Sequence, residues 1–495
     1  MHVRLVHPHQ LFEEQRGVEA DLVVLVEPDL FFRQYAFHTH KLVLHRASMR
    51  RFEAELQAAG HATAYVESRA DRGTDAQLTE LLTERGATTV SCFDVVDDWL
   101  ERDLRRIVGK AHAELVVEET PAFLTSDADV HAQLAPRRGS RPRMATFYSW
   151  QRRRLDVLME GDQPVGGRWS FDEDNREPFP KGGVEIPPLP RLRRDEHVRA
   201  AIAWVAAEFP DNPGDPEDFR WPTTRTQARR WLAVFVAERL ERFGPYEDAI
   251  AADEAFGFHS TLSPVINIGL LSPGEVLDAA LAAEDVPLAS LEGFVRQVIG
   301  WREYMRGVYV TQGRRLRTTN RLHLTRELGP GWWDGTTGLH PVDVVVRRVL
   351  EHGYAHHIER LMVLGNAMLL LRIDPDEVYE WFSALFVDAY DWVMVPNVYA
   401  MSQFAAAEAV TTKPYVSGSN YLRKMSDFRR ADGEHDEDGH GWAEAWDALY
   451  WQFVTDHRDG FEANQRTAMT VRTLDRMDGA RRRELAEIAA RWLAN

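Results

Sequence analysis

The sequence contains almost no cysteine and no long apolar run. Cys92 is the single cysteine among 495 residues, which excludes disulfides, zinc ribbons and four-thiolate iron–sulfur sites within the chain. The longest apolar stretch, residues 361–371, is about half of the ~20 residues that a membrane span needs, so we expect a buried helix. The N-terminus lacks the apolar core and cleavage site of a signal peptide, so we expect a cytoplasmic protein with no membrane partner.

Basic charge is also scarce. The chain has 59 Lys+Arg against 77 Asp+Glu, a net charge of −18, and lysine occurs only five times. Phosphate contacts supply most non-specific DNA affinity, so this balance argues against a generic polybasic DNA binder. It still allows a local basic groove on an acidic body. The Arg-rich, Lys-poor composition is typical of a GC-rich or salt-adapted source.

The first 125 residues alternate short apolar runs with amphipathic stretches. Strands are predicted at residues 21–27, 63–68, 89–94 and 114–118, and helices at residues 40–60, 75–85 and 96–113. This alternation predicts a doubly wound parallel sheet that binds ligands at its carboxyl edge. No GxGxxG follows the first predicted strand, so a dinucleotide fingerprint is absent.

The pattern changes twice further along. Residues 126–195 hold a basic run (RRGSRPR, 137–143) and a Pro-rich run (178–194), which indicate a surface linker; we interpret the basic run as solvated rather than phosphate-binding. From residue 196, helical periodicity dominates. Helices are predicted at residues 226–243, 273–283, 291–310, 342–371, 376–392 and 481–493. The predicted fold class is therefore α/β plus all-α, with an α/β domain at 1–125, a linker at 126–195 and a helical domain at 196–495.

Residues 259–273 (HSTLSPVINIGLLSP) form the first motif of chemical interest. Ser260, Thr261 and Ser263 stand just before a helical stretch, where hydroxyls and free backbone N–H groups can bind a phosphate. The alternative is an ordinary capped helix start.

Residues 292–307 (EGFVRQVIGWREYMRG) form the second motif. Glu292, Arg296 and Glu303 share one polar side of a helix, with Gln297 nearby. A buried WRE triplet requires partners for its charges. The alternative is a structural ion pair.

Together the two motifs, S-x-LSP and then Q-x-x-x-W-R-E-Y, resemble the flavin-binding signature of the cryptochrome/photolyase family. Four longer segments are similar to its branch of iron–sulfur bacterial cryptochromes and prokaryotic (6-4) photolyases. They are YAHHIERLMVLGNAMLL (354–370), EWFSALFVDAYDWVMVPNVYAMSQFA (380–405), TKPYVSGSNYLRKMSDF (412–428) and VLVEPDLFFRQYAFHTHKLVLHRASM (24–49). The resemblance spans the whole chain and implies an antenna domain, a linker and a helical FAD domain.

The resemblance also implies roles for individual residues. FAD contacts are expected from His259, Ser260, Thr261, Leu262, Ser263, Glu292, Gln297, Trp301, Arg302, Asp388, Asp391 and Asn397. His357 matches the family's catalytic proton donor, and His356 stands beside it. Tyr415 matches a residue that contacts the lesion. Without the resemblance, the simpler interpretation is that the two histidines only pack in the core. Electron transfer to the flavin is expected through Trp381, Tyr421 and Trp333. Phe382 stands where relatives often have Tyr, and this difference argues against an electron-transfer route through that position.

Two further ligands follow from the resemblance. Relatives bind 6,7-dimethyl-8-ribityllumazine as an antenna near the N-terminus, where Glu27, Asp29, Phe31, Phe32 and His38 can stack and hydrogen-bond. The segment WSFDEDNREP (169–178) offers acidic side chains as candidates for holding Mg²⁺.

The chain departs from the branch at its iron–sulfur cluster. The four cluster cysteines fall near Pro341, Arg429, Asp432 and Glu444 here, so thiolate ligation of that cluster is excluded. The loop at residues 429–442 offers His435, Asp436 or His440 as metal ligands, but its spacing fits neither an EF-hand nor a zinc site, and a salt-bridged surface loop is favoured.

The expected function is light-driven repair of UV-damaged DNA by a monomeric (6-4) photolyase, with no iron–sulfur cluster. The alternatives are a cryptochrome-type photoreceptor with a protein partner, and an FAD protein that has lost both roles. The His356–His357 pair and Tyr415 favour repair.

Overall fold

The N-terminal part of the computed structural model is built on a parallel sheet. The structure describes residues 1–136, 141–406, 409–436 and 438–494; residues 137–140 of the basic run lie outside this description. The strands are β1 (His2–Val6), β2 (Leu22–Val26), β3 (Thr63–Val66), β4 (Thr89–Phe93) and β5 (Glu114–Glu118). They form one sheet in the order β3-β2-β1-β4-β5 with every pairing parallel, which confirms the predicted doubly wound class.

The central strand β1 was not predicted, so the segment that begins at Glu27 follows the second strand rather than the first. Arg4 lies in the middle of β1 and makes it look like an exposed segment. In the structure the Arg4 side chain is fully buried, pairs with Glu118 at 2.6 Å and lies 4.1 Å from the ring centroid of Phe93. Tertiary partners thus allow a charge in a buried strand.

Helices surround the sheet and make up the rest of the chain. The N-terminal ones are α1 (Asp29–Phe32), α2 (Thr39–Ala58), α3 (Thr74–Glu84) and α4 (Asp98–Lys110). Next come α5 (Asp127–Leu134), α6 (Met144–Leu155) and a hairpin of β6 (Met159–Glu160) and β7 (Gln163–Pro164). Short 3₁₀ turns span Glu13–Gly17, Val165–Gly167, Asp172–Asp174, Pro216–Asp218 and Pro330–Trp332.

The helical part follows from residue 196. Its helices are α7 (Glu196–Glu208), α8 (Arg225–Glu238), α9 (Leu240–Tyr246), α10 (Ser263–Asn267), α11 (Pro273–Leu281), α12 (Leu288–Val295), α13 (Glu303–Arg317), α14 (His340–His352), α15 (Asn366–Leu370), α16 (Pro375–Leu385), α17 (Asp391–Asn397), α18 (Ser419–Met425), α19 (Trp442–Asp456), α20 (Arg458–Ala463), α21 (Ala468–Arg476) and α22 (Gly479–Ala494). This confirms the all-helical class. No described helix is both long and apolar enough to cross a bilayer.

Several long predicted helices are interrupted. Three π-helical segments occur at Arg296–Arg302, Glu359–Gly365 and Val398–Ser402. π-Helix is rare and is frequently found at functional sites. The first segment contains the WRE motif's tryptophan and arginine, and the second begins just after the histidine pair. A π-helical segment has a different number of residues per turn from an α-helix, so the motif side chains point in other directions than a continuous α-helix would give them.

Residues 126–195 contain two helices, α5 and α6, that the linker prediction did not include. Tyr148 of α6 donates a hydrogen bond of 2.8 Å to buried Glu292. Arg306 of α13 donates to the backbone oxygen of Thr125 at 2.8 Å and pairs with Asp127. The segment is therefore held against the helical part by buried polar contacts.

The two parts of the chain also meet directly through α2. The Lys41 ammonium is buried and donates to the backbone oxygens of Ser383 (3.0 Å) and Ala389 (2.8 Å). Burial lowers the pKa of Lys41 to about 7, while the charge of Asp388 opposes the shift. These two hydrogen bonds connect α2 to the end of α16 and to the loop between α16 and α17.

Candidate functional site

Asp388, in the loop between α16 and α17, is the centre of a buried polar network. Its carboxylate accepts two hydrogen bonds from the Arg360 guanidinium, at 2.9 and 3.0 Å, and one from the Ser263 hydroxyl at 2.5 Å. Its backbone oxygen accepts from the Asn267 amide at 2.8 Å. A bidentate guanidinium–carboxylate pair fixes both distance and plane, so the loop has one orientation.

Arg302 of the WRE motif joins the same network. It donates to the Asn267 side-chain oxygen at 2.9 Å and to the Ala122 backbone oxygen at 3.2 Å. Its guanidinium lies between the rings of Phe123 (4.6 Å) and Trp392 (4.7 Å). Burial lowers the pKa of Arg302 to about 10, which leaves it charged at neutral pH.

Three predicted flavin contacts from separate motifs, Ser263, Arg302 and Asp388, are therefore brought together. Two members of the network were not predicted, Arg360 and Asn267. Asn267 stands four residues after Ser263 and Arg360 four after His356, so helical spacing was a usable signal.

Thr261 adopts a backbone conformation that a β-branched residue rarely takes. Its φ is 52°, in the left-handed region. Its hydroxyl accepts a hydrogen bond of 2.7 Å from the Trp231 indole and donates one of 2.7 Å to the Ser260 backbone oxygen. Backbone strain of this kind is concentrated at ligand and active sites. The neighbouring Leu262 is buried, and its N–H donates to the Ser260 hydroxyl at 3.4 Å.

The acidic residues of the second motif are engaged in structural contacts. Glu292 accepts from Tyr148 and, at 2.8 Å, from the Phe171 backbone N–H. Glu303 accepts from the backbone N–H groups of Leu124 (2.9 Å) and Thr125 (3.1 Å), and burial raises its pKa. Both carboxylates thus anchor segments N-terminal to the helical part.

Other predicted flavin contacts are more scattered. Gln297 and Trp301 are half-buried, and the Trp301 ring lies 6.2 Å from that of Tyr304. Asp391 belongs to a different buried network, where it pairs with Arg317 and accepts from the hydroxyls of Tyr309 and Tyr379. The half-buried Asn397 donates to the Val393 backbone oxygen within its own helix at 2.8 Å. Asp391 and Asn397 do not contact the Asp388 network in the described structure.

The adjacent histidines His356 and His357 differ in their exposure to solvent. His356 is buried and stacks on His259, with ring centroids 4.5 Å apart and an interplanar angle of 11°. Burial holds the pKa of both rings well below the ordinary value, so both are neutral at pH 7. By contrast, the His357 side chain is 45% exposed and its Nε2 lies 3.4 Å from a carboxylate oxygen of Asp248.

Asp248 decides the protonation of His357. Partial desolvation opposes the charged imidazolium, but the hydrogen bond and the charge of Asp248, with Glu247 nearby, outweigh it and raise the pKa of His357. Tyr415 and Tyr421 are half-buried, and burial is the main cause that raises the pKa of each; the charge of Asp172 comes next for Tyr415 and that of Asp248 for Tyr421. Asp248 therefore acts on both His357 and Tyr421.

The predicted electron relay is only partly continuous. Trp381 is fully buried, whereas Trp333 is 38% exposed. Trp381 packs against the rings of Phe382 at 5.3 Å, Phe386 at 6.0 Å and Trp332 at 6.1 Å, and the contact with Trp332 was not predicted. Phe386 in turn lies 4.0 Å from the Arg360 guanidinium.

The five predicted antenna residues are buried or engaged within the protein. Glu27 pairs with Arg46 at 2.9 Å, and Asp29 accepts from the Thr74 N–H at 2.9 Å. Phe31 and Phe32 pack against His45 in the core, and His38 caps α2 by accepting from the His40 N–H. The cavity at the carboxyl edge of the sheet, about 920 Å³, lies instead beyond β4 and β5.

The segments that carry the positions matching the cluster cysteines pack against one another through aromatic and charged side chains. Phe428 lies 5.7 Å from the ring of His340 and 6.4 Å from that of Trp442. Arg430 pairs with Glu444 at 3.2 Å. Arg491 of α22 pairs with Asp436 (3.4 Å) and Asp438 (3.3 Å) of the loop at residues 429–442. The described part of that loop is therefore salt-bridged, and Glu437 lies outside the described residues.

Two family models match the chain on either side of the first motif. The model described as deoxyribodipyrimidine photo-lyase-related protein matches residues 4–221, and that of the FAD binding domain of DNA photolyase matches residues 294–441. A (6-4) photolyase of Agrobacterium fabrum is 35% identical over 488 residues, which cover 96% of this chain and 94% of that protein.

Solved structures show the same architecture. A bacterial class III photolyase from Agrobacterium tumefaciens superposes with a TM-score of 0.57 at 16% identity, covering 100% of this chain and 98% of that one. A Synechocystis cryptochrome gives 0.56 at 15% identity, covering 98% and 93%. The fold is thus that of photolyases and cryptochromes. The chain belongs to the cryptochrome/photolyase family, in the branch of the bacterial (6-4) photolyases.

We expect Asp388→Asn to destabilise the protein and to lower the FAD content of purified material. The change leaves the Arg360 guanidinium, whose side chain is 18% exposed, without its counter-charge. Removing one partner of a largely buried ion pair costs about 3 kcal/mol. Urea denaturation and flavin absorbance measure the two effects. The matched control is Asp475→Asn in the exposed pair with Arg458, which leaves both unchanged. An unaltered denaturation midpoint in Asp388→Asn contradicts the central role of this network.

Proposed function

We propose that this protein is a light-driven, FAD-dependent (6-4) photolyase that reverses pyrimidine (6-4) photoproducts in UV-damaged DNA. The observation that carries the proposal is the exposed His357, whose Nε2 lies 3.4 Å from the Asp248 carboxylate that raises its pKa. The 35% identity to a (6-4) photolyase over nearly the whole chain supports it. A cryptochrome-type photoreceptor rests on likeness of fold alone.

The residues around the Asp388 network fit a flavin dinucleotide. Buried polar atoms there form no hydrogen bond with any described residue, including Nε of Arg302 and Nε2 of His259. Ser263, Arg302 and Asp388 would hold the cofactor, together with the strained turn at Thr261. When bound, FAD supplies the electron that is passed to the lesion after light absorption.

In the proposed repair, the protein supplies position and a proton. A lesion already has weakened stacking and pairing, which makes its extrusion from the duplex feasible. His357 donates a proton to the extruded lesion from Nδ1, because its Nε2 faces Asp248 at 3.4 Å, and Asp248 stabilises the imidazolium until then. His356 stays neutral and positions its neighbour by stacking on His259. Tyr415 contributes to the lesion pocket.

We propose a relay of Trp333, Trp332 and Trp381 for reducing the flavin, with Tyr421 outside this chain of contacts. We also propose the lumazine antenna on the strength of the resemblance. The cavity at the carboxyl edge of the sheet offers the space, and its lining includes Asp97 and Tyr309 rather than Glu27 or His38. Burial, followed by the charge of Asp391, raises the pKa of Asp97 to about 8.

We also propose that the protein is monomeric, cytoplasmic and free of an iron–sulfur cluster. Its antenna domain spans residues 1–125, its linker 126–195 and its FAD domain 196–495. The segment predicted to hold Mg²⁺ does not fit a preformed site, because Arg296 and Arg176 pair with Asp172 and Arg168 pairs with Asp174. No step is assigned to Mg²⁺.

Blue-light incubation with an oligonucleotide that contains a (6-4) photoproduct is expected to restore the bases, and a cyclobutane-dimer oligonucleotide is expected to stay unrepaired. His357→Ala removes the proton donor and should lower the repair rate at least 100-fold while FAD stays bound. His435→Ala, a histidine exposed in the loop, is the control and should repair normally. Repair of the (6-4) lesion by His357→Ala at the normal rate refutes the assigned role.

The repair rate should fall as pH rises through the raised pKa of His357, because only the imidazolium can donate. Asp248→Asn removes the charge that raises this pKa, so the fall should occur at lower pH. The pH dependence of single-turnover repair in both proteins measures the shift. Identical profiles would show that another group supplies the proton.

The purified protein should be yellow, with no broad iron–sulfur absorption and less than one tenth of an iron atom per chain by metal analysis. No cysteine stands at the matching positions, and the segments around them pack through contacts of Phe428 with His340 and Trp442. Stoichiometric iron would contradict the cluster-free proposal.

A further inference from the structure

A second cavity, of about 450 Å³, lies on the helical part and has no role in the proposed repair. Its walls are formed by the end of the Pro-rich run, by the loop before α8 and by the starts of α7 and α8. Four arginines line it, Arg191, Arg193, Arg194 and Arg220. We call it the arginine cavity. Its volume is within the usual range for small-molecule sites.

The charge of the arginine cavity is unusual for so acidic a chain. None of the described residues that line it carries a carboxylate, although the chain has a net charge of −18. Glu217 and Glu351 approach from outside the lining, at 2.9 Å from Arg194 and 3.9 Å from Arg220. The side chains of Arg191 and Arg193 are exposed and form no ion pair with any described residue. An anion inside would therefore find two uncommitted guanidinium groups.

One helix adds to this field. α8 begins at the cavity with a neutral cap, since Gln227 lines it, whereas the start of α7 is already capped by the Asp195 carboxylate, which accepts from the Val198 N–H at 3.0 Å. The N-terminus of a helix carries a partial positive charge that favours anions. The Nε of Arg220 is buried without a hydrogen-bond partner among the described residues. The arginine charge, the α8 dipole and an unsatisfied donor thus favour the same kind of ligand.

The floor of the arginine cavity is aromatic. Trp221 and Trp231 are almost fully buried, and Phe219 and Phe256 complete the apolar lining. Aromatic surfaces beside arginines bind planar rings by stacking and cation–π contacts. An inorganic anion would contact the arginines but not the aromatic floor, whereas a nucleotide would contact both.

We propose that the arginine cavity binds a nucleotide, with its phosphate between the arginines and its base on the aromatic floor. The ligand is either a free nucleotide or a terminal nucleotide of a strand. The cavity is separate from the Asp388 network and from His357, and neither contributes to its lining. Its floor is connected to the flavin motif by the hydrogen bond from the Trp231 indole to Thr261 and by that from the His259 N–H to the Phe256 backbone oxygen at 3.0 Å.

The test is equilibrium binding in the dark by the full-length, FAD-loaded protein. The probes are a fluorescent N-methylanthraniloyl ATP, AMP and inorganic phosphate as competitors, and an undamaged 5′-phosphorylated octathymidylate. We expect ATP to bind, AMP to compete at least tenfold better than phosphate, and Arg191→Ala/Arg193→Ala to weaken binding at least tenfold. This pair has no ionic partner in the fold, so the variant should fold normally.

The matched control is Arg481→Ala/Arg482→Ala, which removes the same charge from the exposed face of α22. It should bind as the parent does. Binding of free ATP identifies a soluble nucleotide, and binding of the oligonucleotide alone identifies a strand end. The proposal is overturned if neither probe binds at millimolar concentration, if both arginine pairs behave alike, or if phosphate competes as well as AMP. No lesion or light is used, so a failure of the repair proposal leaves this result unaffected.

Discussion

The buried pair of Arg360 and Asp388 is the interaction on which the candidate site depends. A carboxylate away from water is tolerated only with full compensation, and this one receives hydrogen bonds from Arg360 and Ser263. Asn267 connects it to Arg302, which reaches the Ala122 backbone at the end of the α/β part. One network therefore sets the relative positions of α10, the π segment of the WRE motif and the loop before α17.

Environment, rather than residue type, separates the roles of the two histidines. His356 is enclosed, stacked on His259 and neutral, whereas His357 is partly exposed and its pKa is raised by Asp248. Two neighbouring groups whose pKa values are driven apart are a common basis for acid–base chemistry. The π segment that starts at Glu359 follows this pair directly, and the Arg360 that it contains returns to Asp388.

Much of the fold was predictable because its signals are local. The apolar runs that became β2 to β5 and the amphipathic stretch that became α2 need only apolar pattern and length, although β5, at the edge of the sheet, is largely exposed rather than buried as predicted. β1 was missed because Arg4 looks exposed until Glu118 and Phe93 are placed beside it. The predicted helix at 342–371 is interrupted after His352, where Gly353 has a φ of 64°, and continues as a π segment. π-Helical insertions depend on packing and leave no periodic signature.

The composition of the site can be read from the amino-acid order alone: the motif hydroxyls, the WRE triplet, the histidine pair and the lack of cluster thiolates. These are matters of covalent chemistry, which spacing and residue type express directly. The meeting of Ser263, Arg302 and Asp388, and the separation of Asp391 from them, became visible in the folded chain. The folded chain also shows that Trp332 rather than Trp333 packs on Trp381, and that four arginines surround one cavity. Burial and long-range contact set these outcomes, and both arise only when distant segments pack together.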